Sequence, residues 1–307
     1  MANESVFRRF EGNPIVGPEA VPGANSIFNS AVVRFGGGYV GLFRVDGQDF
    51  PMQLHLGRSD DGIKWSIEEK PIKIHCGNDA KPASGYDPRI TRIGDEYFAT
   101  WCYYPAGPGP HIGIGRTKDF RRFDLVSEIA FAYDRNAVLF PEKIKGKYAA
   151  LHRPSDTGHT QYGDIFYCTS PDLVHWGDHK YVFGPKGWWQ SRKVGAGPVP
   201  IPIEEGWLMI YHGVRLTCNG FVYCAGGAIL DREEPWKVRW RCRRYLLAPT
   251  ALYETVGDVP NVVFPTAAIV FEDTGQIRLY YGAADTYVAM ATAQLGEVIE
   301  FIKKYGS

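Results

Sequence analysis

No stretch of this sequence stays apolar for the roughly 20 residues that a bilayer span takes, and the opening MANESVFRRF lacks the apolar centre of a secretory leader. The expectation is a soluble, cytoplasmic chain that works without a membrane. An excess of charge of either sign is also missing: 34 Lys and Arg balance 34 Asp and Glu, so no bulk field argues for nucleic acid. Any cationic site must be local. Cysteine is scarce, with six residues (Cys76, Cys102, Cys168, Cys218, Cys224 and Cys242) and no CxxC pair, which excludes a small disulfide scaffold and leaves reduced, mostly buried thiols. No ligand cluster with zinc spacing and no phosphate-cradling glycine loop appears, so neither a metal nor an organic cofactor is expected. Long helical periodicity is absent too, and β-structure must bury the core of a 307-residue chain that is 45% hydrophobic and 14% aromatic.

What the sequence does have is a repeat. Two β-rich strings joined by a Gly-containing turn recur from Phe28, Tyr86 and Asn136, with looser copies from Gly197 and Asn261, a period of about fifty residues. A third element follows each copy and ends on an aromatic: Trp65, Phe123, Trp176, Trp240 and Phe301. Five copies of a roughly four-stranded unit describe an all-β, five-bladed β-propeller occupying residues 1–307 as a single domain. Two packed β-sandwiches would also give many short strands, but they predict no register between copies. The segment FRRFEGNPIVG resembles an outer strand and is expected to close the ring against the last blade, hiding an open sheet edge.

A propeller gathers equivalent repeat positions around one funnel. At or near the starts of the first strands stand Asn29, Asp87, Arg135 with Asn136, and Lys193; at the ends of the second strands stand Arg44, Tyr103, Arg153, His212 and Asp285. Hairpin geometry puts both sets at one end of the sheet. Singly, each has a plainer explanation: Asp87 before Pro88 as a turn residue, the arginines as a solvated rim, Trp188, Trp189 and Trp207 as core rather than as stacking platforms for sugar rings. Their shared phase in the repeat favours a joint site.

These residues lie in strings with a wider likeness. YDPRIT (86–91), HRPSDTGHTQYGDIFY (152–167), KVGAGPVPI (193–201), IYHGVRLTCNGFVY (210–223), GDVPNVVFP (257–265) and YYGAADT (280–286) resemble glycoside hydrolase family 130, the β-mannoside phosphorylases, across nearly the whole chain. The runs at 152–167 and 217–223 are most similar to the branch that acts on 4-O-β-D-mannosyl-D-glucose. The resemblance implies inverting phosphorolysis to α-mannose 1-phosphate and glucose. Carried over by motif, Asp87 is the general acid, acting through the mannose 3-hydroxyl. Arg135, Arg153, Lys193 and His212, with Tyr211 beside it, hold phosphate. Asn29, Ser30, Arg44, Tyr86 and Asp285 hold the mannosyl ring, and Asp156 and His159 are expected to help read the acceptor. Two departures are Ala137, where relatives often have Gly, and Glu142, where they often have a basic residue that would sit near the site.

The chemistry agrees with this set. An inverting hydrolase needs a carboxylic acid and an opposed carboxylate that activates water. Phosphate is already an anionic nucleophile, so a phosphorylase needs cations in that second place, and Arg forks with a Lys point charge suit it. A β-mannoside hydrolase and a non-catalytic sugar-binding propeller are the alternatives; the first predicts Glu or Asp where the cations stand. Small-molecule sugar and phosphate are the expected partners, with no nucleic acid, and a homo-oligomer is left open.

Overall fold

The computed structural model describes residues 5–49, 51–104, 109–129, 132–155 and 163–307. After β1 (Arg8–Arg9), blade 1 comprises β2 (Ala24–Phe35), β3 (Gly38–Gly47), β4 (Met52–Ser59) and β5 (Ser66–Pro71). A short hairpin of β6 (Lys73–Cys76) and β7 (Asp79–Pro82) precedes blade 2, with β8 (Tyr86–Ile93), β9 (Glu96–Tyr103), β10 (His111–Thr117) and β11 (Phe123–Glu128). Blade 3 is β12 (Asp134–Leu139), β13 (Tyr148–Pro154), β14 (Ile165–Ser170) and β15 (Gly177–Phe183). Blade 4 has β16 (Lys193–Ala196) and β17 (Ile201–Ile203) as a broken inner strand, then β18 (Gly206–Thr217), β19 (Gly220–Leu230) and β20 (Val238–Arg241). Blade 5 is β21 (Val263–Phe271), β22 (Gln276–Ala283) and β23 (Tyr287–Gln294). Its outer strand is β1, paired antiparallel with Arg8 opposite Thr292, which closes the ring as expected.

The hairpin joining β2 to β3 shows why such strings turn. Gly36 and Gly37 both adopt positive φ (60° and 87°), the geometry that matches the twist of flanking strands and that side chains resist. Each sheet then buries both faces against its neighbours. Leu42, Leu56 and Trp101 pack between blades 1 and 2; Leu151, Trp207 and Met209 between blades 3 and 4; Ile210, Val263 and Leu279 between blades 4 and 5. The closure is tied electrostatically as well: Arg9 meets the fully buried Glu254 at 2.8 Å. That carboxylate also accepts from Tyr281 Oη and the backbone N–H groups of Thr250 and Ala251, so its burial is compensated.

The fifth copy departs from expectation. Its turn and Phe301 do not open an outer strand; after Gln294 the chain forms a helix, Leu295–Tyr305. Leu295, Val298, Ile299 and Ile302 follow one another at the three-and-four spacing of an amphipathic helix, and Val298 and Ile302 are buried against blades 4 and 5. With β1 already in the outer position, no strand is needed there. Trp189 and Trp207 are core, and Trp188 is exposed. Glu142 lies away from the funnel, on the surface, paired with Arg232 at 2.7 Å.

Candidate active site

The inner strands of blades 1, 2 and 3 all carry a β-bulge at the same place, between Phe28 and Ala31, Tyr86 and Arg89, and Arg135 and Val138. In each, one residue enters the left-handed region: Asn29 (φ 47°), Asp87 (53°) and Asn136 (54°). Asn and Asp tolerate this conformation best among residues with a side chain, and a bulge re-aims what it carries. Asp87 is therefore not a residue of a surface turn but the bulge residue of an inner strand. In blade 4 the inner strand breaks outright between Ala196 and Ile201. Arg89, fully buried, spans these irregularities: it donates to the carbonyls of Asp87 (3.1 Å) and Pro88 (2.9 Å), and to Gly197 of blade 4 (2.6 Å).

Above this floor lies a cavity of about 370 Å³. Asn29, Arg44, Tyr86, Asp87, Arg135, Arg153, Lys193 and Asp285, all singled out from sequence, line it together. One wall is a carboxylate cluster around a single guanidinium. Arg44 is bidentate to Asp46 (2.9 and 2.7 Å) and reaches Asp87 Oδ1 at 3.2 Å, while its guanidinium lies 4.2 Å from the centre of the Phe28 ring. Asn29 Nδ2 donates to the same Asp87 oxygen at 2.7 Å. Among the described residues nothing donates to Asp87 Oδ2, which leaves that oxygen for a ligand. Burial pushes the Asp285 carboxyl up to about 7, with Asp87, Asp46 and Asp258 acting in the same direction and Arg44 opposing them. Asp285 is thus far easier to protonate than an ordinary carboxylate.

The other charged residues that line the cavity are cations. Arg135 donates to the hydroxyls of Tyr86 (3.2 Å) and Tyr104 (3.3 Å), whose rings stack 5.8 Å apart. Arg153 is buried, donates one N–H to His212 Nε2 at 3.0 Å, and has no partner for its Nε among the described residues. Lys193 Nζ lies 4.6 Å and 5.2 Å from the ring centres of Phe221 and Tyr223. Burial holds the Arg153 guanidinium below its usual range, and Arg135 lowers it further. His212, stacked on Phe264 at 4.4 Å, is lowered well below its usual value by burial and by Arg153, Arg89 and Lys193. It is therefore a neutral imidazole that accepts from Arg153 and orients it. Gly195 makes that pair fit, since a β-carbon there would lie 2.4 Å from His212 Cε1.

Four expected residues stand off the cavity. His212 sits behind Arg153, as described. Tyr211, on the opposite face of β18, donates to Gln190 Oε1 (2.8 Å) and stacks on Trp189 in the core. Ser30 is fully buried beside Asn29 and does not line the cavity. Tyr103 hydrogen-bonds Glu128 and leans on His111. The register explains this last error. Phe28 pairs with Arg44 and Arg135 with Arg153, but Tyr86 pairs with Cys102, so the blade 2 counterpart is Cys102 and Tyr103 is one residue past it, on the other face. Asp156 and His159 lie outside the described residues. Tyr104, Tyr223 and Phe264 also line the cavity and were not singled out; their signal was an aromatic next to a funnel cation, which sequence cannot separate from core.

A family model described as Glyco_hydro_130, beta-1,4-mannooligosaccharide phosphorylase, matches residues 4–304. A beta-1,4-mannooligosaccharide phosphorylase of Ruminococcus albus is 46% identical over 99% of this chain and 93% of that protein. A 4-O-beta-D-mannosyl-D-glucose phosphorylase of Bacteroides fragilis is 29% identical over 98% of this chain and 81% of that protein. Among solved structures, the beta-1,2-mannobiose phosphorylase of Listeria innocua in complex with beta-1,2-mannobiose superposes with a TM-score of 0.85 at 29% identity, covering 97% of this chain and 99% of that one.

Proposed function

Because the chain belongs to glycoside hydrolase family 130, we propose that its cavity carries out reversible, inverting phosphorolysis of a β-1,4-mannoside, releasing α-mannose 1-phosphate. The observation that carries this reading is the charge lining the cavity: Arg135, Arg153 and Lys193 share it with two carboxylates, Asp87 and Asp285, that both act on Arg44. A water-activating pair needs two carboxylates on opposite faces of the scissile bond with room for water between them. Here the remaining charged groups that line the cavity are Arg135, Arg153 and Lys193, which suit a phosphate oxyanion and supply no base. Asn29, Arg44 and Asp285 hold the mannosyl ring, Asp87 Oδ2 supplies the proton, and phosphate enters over Arg153 and Lys193. Phosphate is a co-substrate, and the reaction as proposed draws on no cofactor. The unpaired thiols, with Cys76 and Cys218 exposed, support a cytoplasmic place of action. No helix among the described residues is long and apolar enough to cross a membrane.

Turnover of a β-1,4-mannoside is therefore expected to require inorganic phosphate and to yield mannose 1-phosphate. Equal cleavage in phosphate-free buffer, with free mannose as product, would show a hydrolase instead.

The acceptor is the finer question. The runs at 152–167 and 217–223 point to glucose, whereas the higher whole-chain identity is to the mannooligosaccharide enzyme. Glucose and mannose differ only at the 2-hydroxyl, and a buried polar group left unpaired by the wrong epimer discriminates strongly. We weight the whole chain, and expect mannose-ended acceptors to be used at least as well as glucose in synthesis from mannose 1-phosphate. A kcat/KM for glucose more than about tenfold higher, some 1.4 kcal/mol, would return the enzyme to the mannosylglucose branch.

A further inference from the structure

Blade 3 carries a second cluster of chemistry-bearing side chains that the phosphorolysis does not use. His152 on β13, Cys168 on β14 and His179 on β15 project from three successive strands, and their ligand atoms all lie within 4.8 Å of one another. His152 Nε2 and His179 Nδ1 are 3.0 Å apart. Two imidazole nitrogens bound tetrahedrally to zinc at about 2.0–2.1 Å would stand about 3.3 Å apart, and a thiolate at about 2.3 Å would lie about 3.6 Å from each. The two nitrogens thus stand close to the zinc spacing, and the sulfur, within 4.8 Å of both, would close in on them as the ion binds.

A second feature marks His152 as more than half of a hydrogen-bonded pair. Its Nδ1 lies 2.6 Å from Asp134 Oδ2, with both side chains buried. A carboxylate on the far nitrogen of a histidine is the arrangement that fixes the tautomer of a metal-binding imidazole and raises its basicity. His152 and Cys168 are buried while His179 is exposed, which provides a wall on one side and an entry path on the other. Two nitrogens and one sulfur, with a place left for water, suit zinc or another borderline-soft divalent ion and not calcium or magnesium.

We infer that His152, Cys168 and His179 form a zinc-class metal site in blade 3, with Asp134 as the carboxylate that orients His152. The site is distinct from the cavity yet tied to it through Asp134, whose other oxygen accepts the backbone N–H of Arg135 (2.8 Å) and of Arg153 (3.1 Å). An ion here would brace the strand ends from which two phosphate-wall arginines project. It needs no part in the reaction.

The test uses the intact, chelator-treated protein titrated with Co²⁺ alone and then with Zn²⁺ alone. One equivalent of cobalt is expected to bind with a thiolate-to-cobalt charge-transfer band that zinc abolishes by displacement, and zinc is expected to raise the melting temperature. Cys168→Ser is expected to lose the band. His179→Ala, at an exposed position, is expected to weaken cobalt binding at least tenfold and to lose the zinc-induced melting shift, with the melting temperature of the metal-free protein as the control for folding. Absence of binding in the wild-type protein would overturn the inference. So would unchanged cobalt affinity in His179→Ala, or a band that persists in Cys168→Ser, which would assign the metal to the exposed thiols of Cys76 or Cys218.

Discussion

Asp87→Asn is expected to lower kcat by about two to four orders of magnitude while leaving the KM for the mannoside nearly unchanged, the scale of a lost general acid. The substitution keeps the shape of the side chain and its ability to accept from Asn29 and Arg44, so it isolates the proton. The control is Asp285→Asn. Burial pushes its carboxyl up to about 7, and its charge acts on the same guanidinium, that of Arg44. As a sugar-holding group, Asp285 should affect the mannoside KM more than kcat, and a step in that KM as pH rises through about 7 should vanish in the variant. If the two variants exchange phenotypes, Asp285 is the acid. Near-normal turnover of Asp87→Asn would reduce Asp87 to a bulge-forming residue.

Arg153→Ala is expected to raise the KM for phosphate about ten- to a hundredfold and to leave the KM for the mannoside in place, since a charge-assisted contact is worth about 1.5–3 kcal/mol. Arg153 is also packed against His212 and against Gly163, where a β-carbon would lie 2.7 Å from Arg153 Cδ, so truncation alone could disturb the fold. Arg153→Lys guards against that. It retains the charge but loses the fork, and should show a smaller rise in phosphate KM with an unchanged melting temperature. A rise confined to the mannoside KM in both variants would move Arg153 to the sugar side.

The fold was legible because a blade is a local object. Each copy contains its own strands, its turn glycines and an aromatic before or within the outer strand, as at Trp65, Phe123 and Trp176, and those patterns need no knowledge of the neighbours. The misreading at Phe301 came from forcing the last copy into the repeat, although Leu295, Val298, Ile299 and Ile302 already showed a helical spacing. The site was legible to the same extent and for the same reason: Asn29 and Asp87, Tyr86 and Arg135, and Arg44 and Arg153 hold equivalent places in their blades, and ring symmetry turns equivalent places into neighbours.

From the sequence alone came the propeller, its five-fold repeat, a closing strand in the opening segment 7–17 and the set of cations and carboxylates that meet in the funnel. Only the tertiary structure decided which side chains of that set reach the cavity. Tyr103 lost its place to Tyr104, and Tyr211 turned into the core, because a strand alternates faces at every residue and a one-residue slip reverses them. It also decided what no spacing shows: that the bulges turn Asn29 and Asp87 inward, that Arg89 joins blade 2 to blade 4, and that His152, Cys168 and His179 meet on one face. Those are contacts between strands, set by register and packing, and a linear pattern carries no distance between residues that lie in different strands.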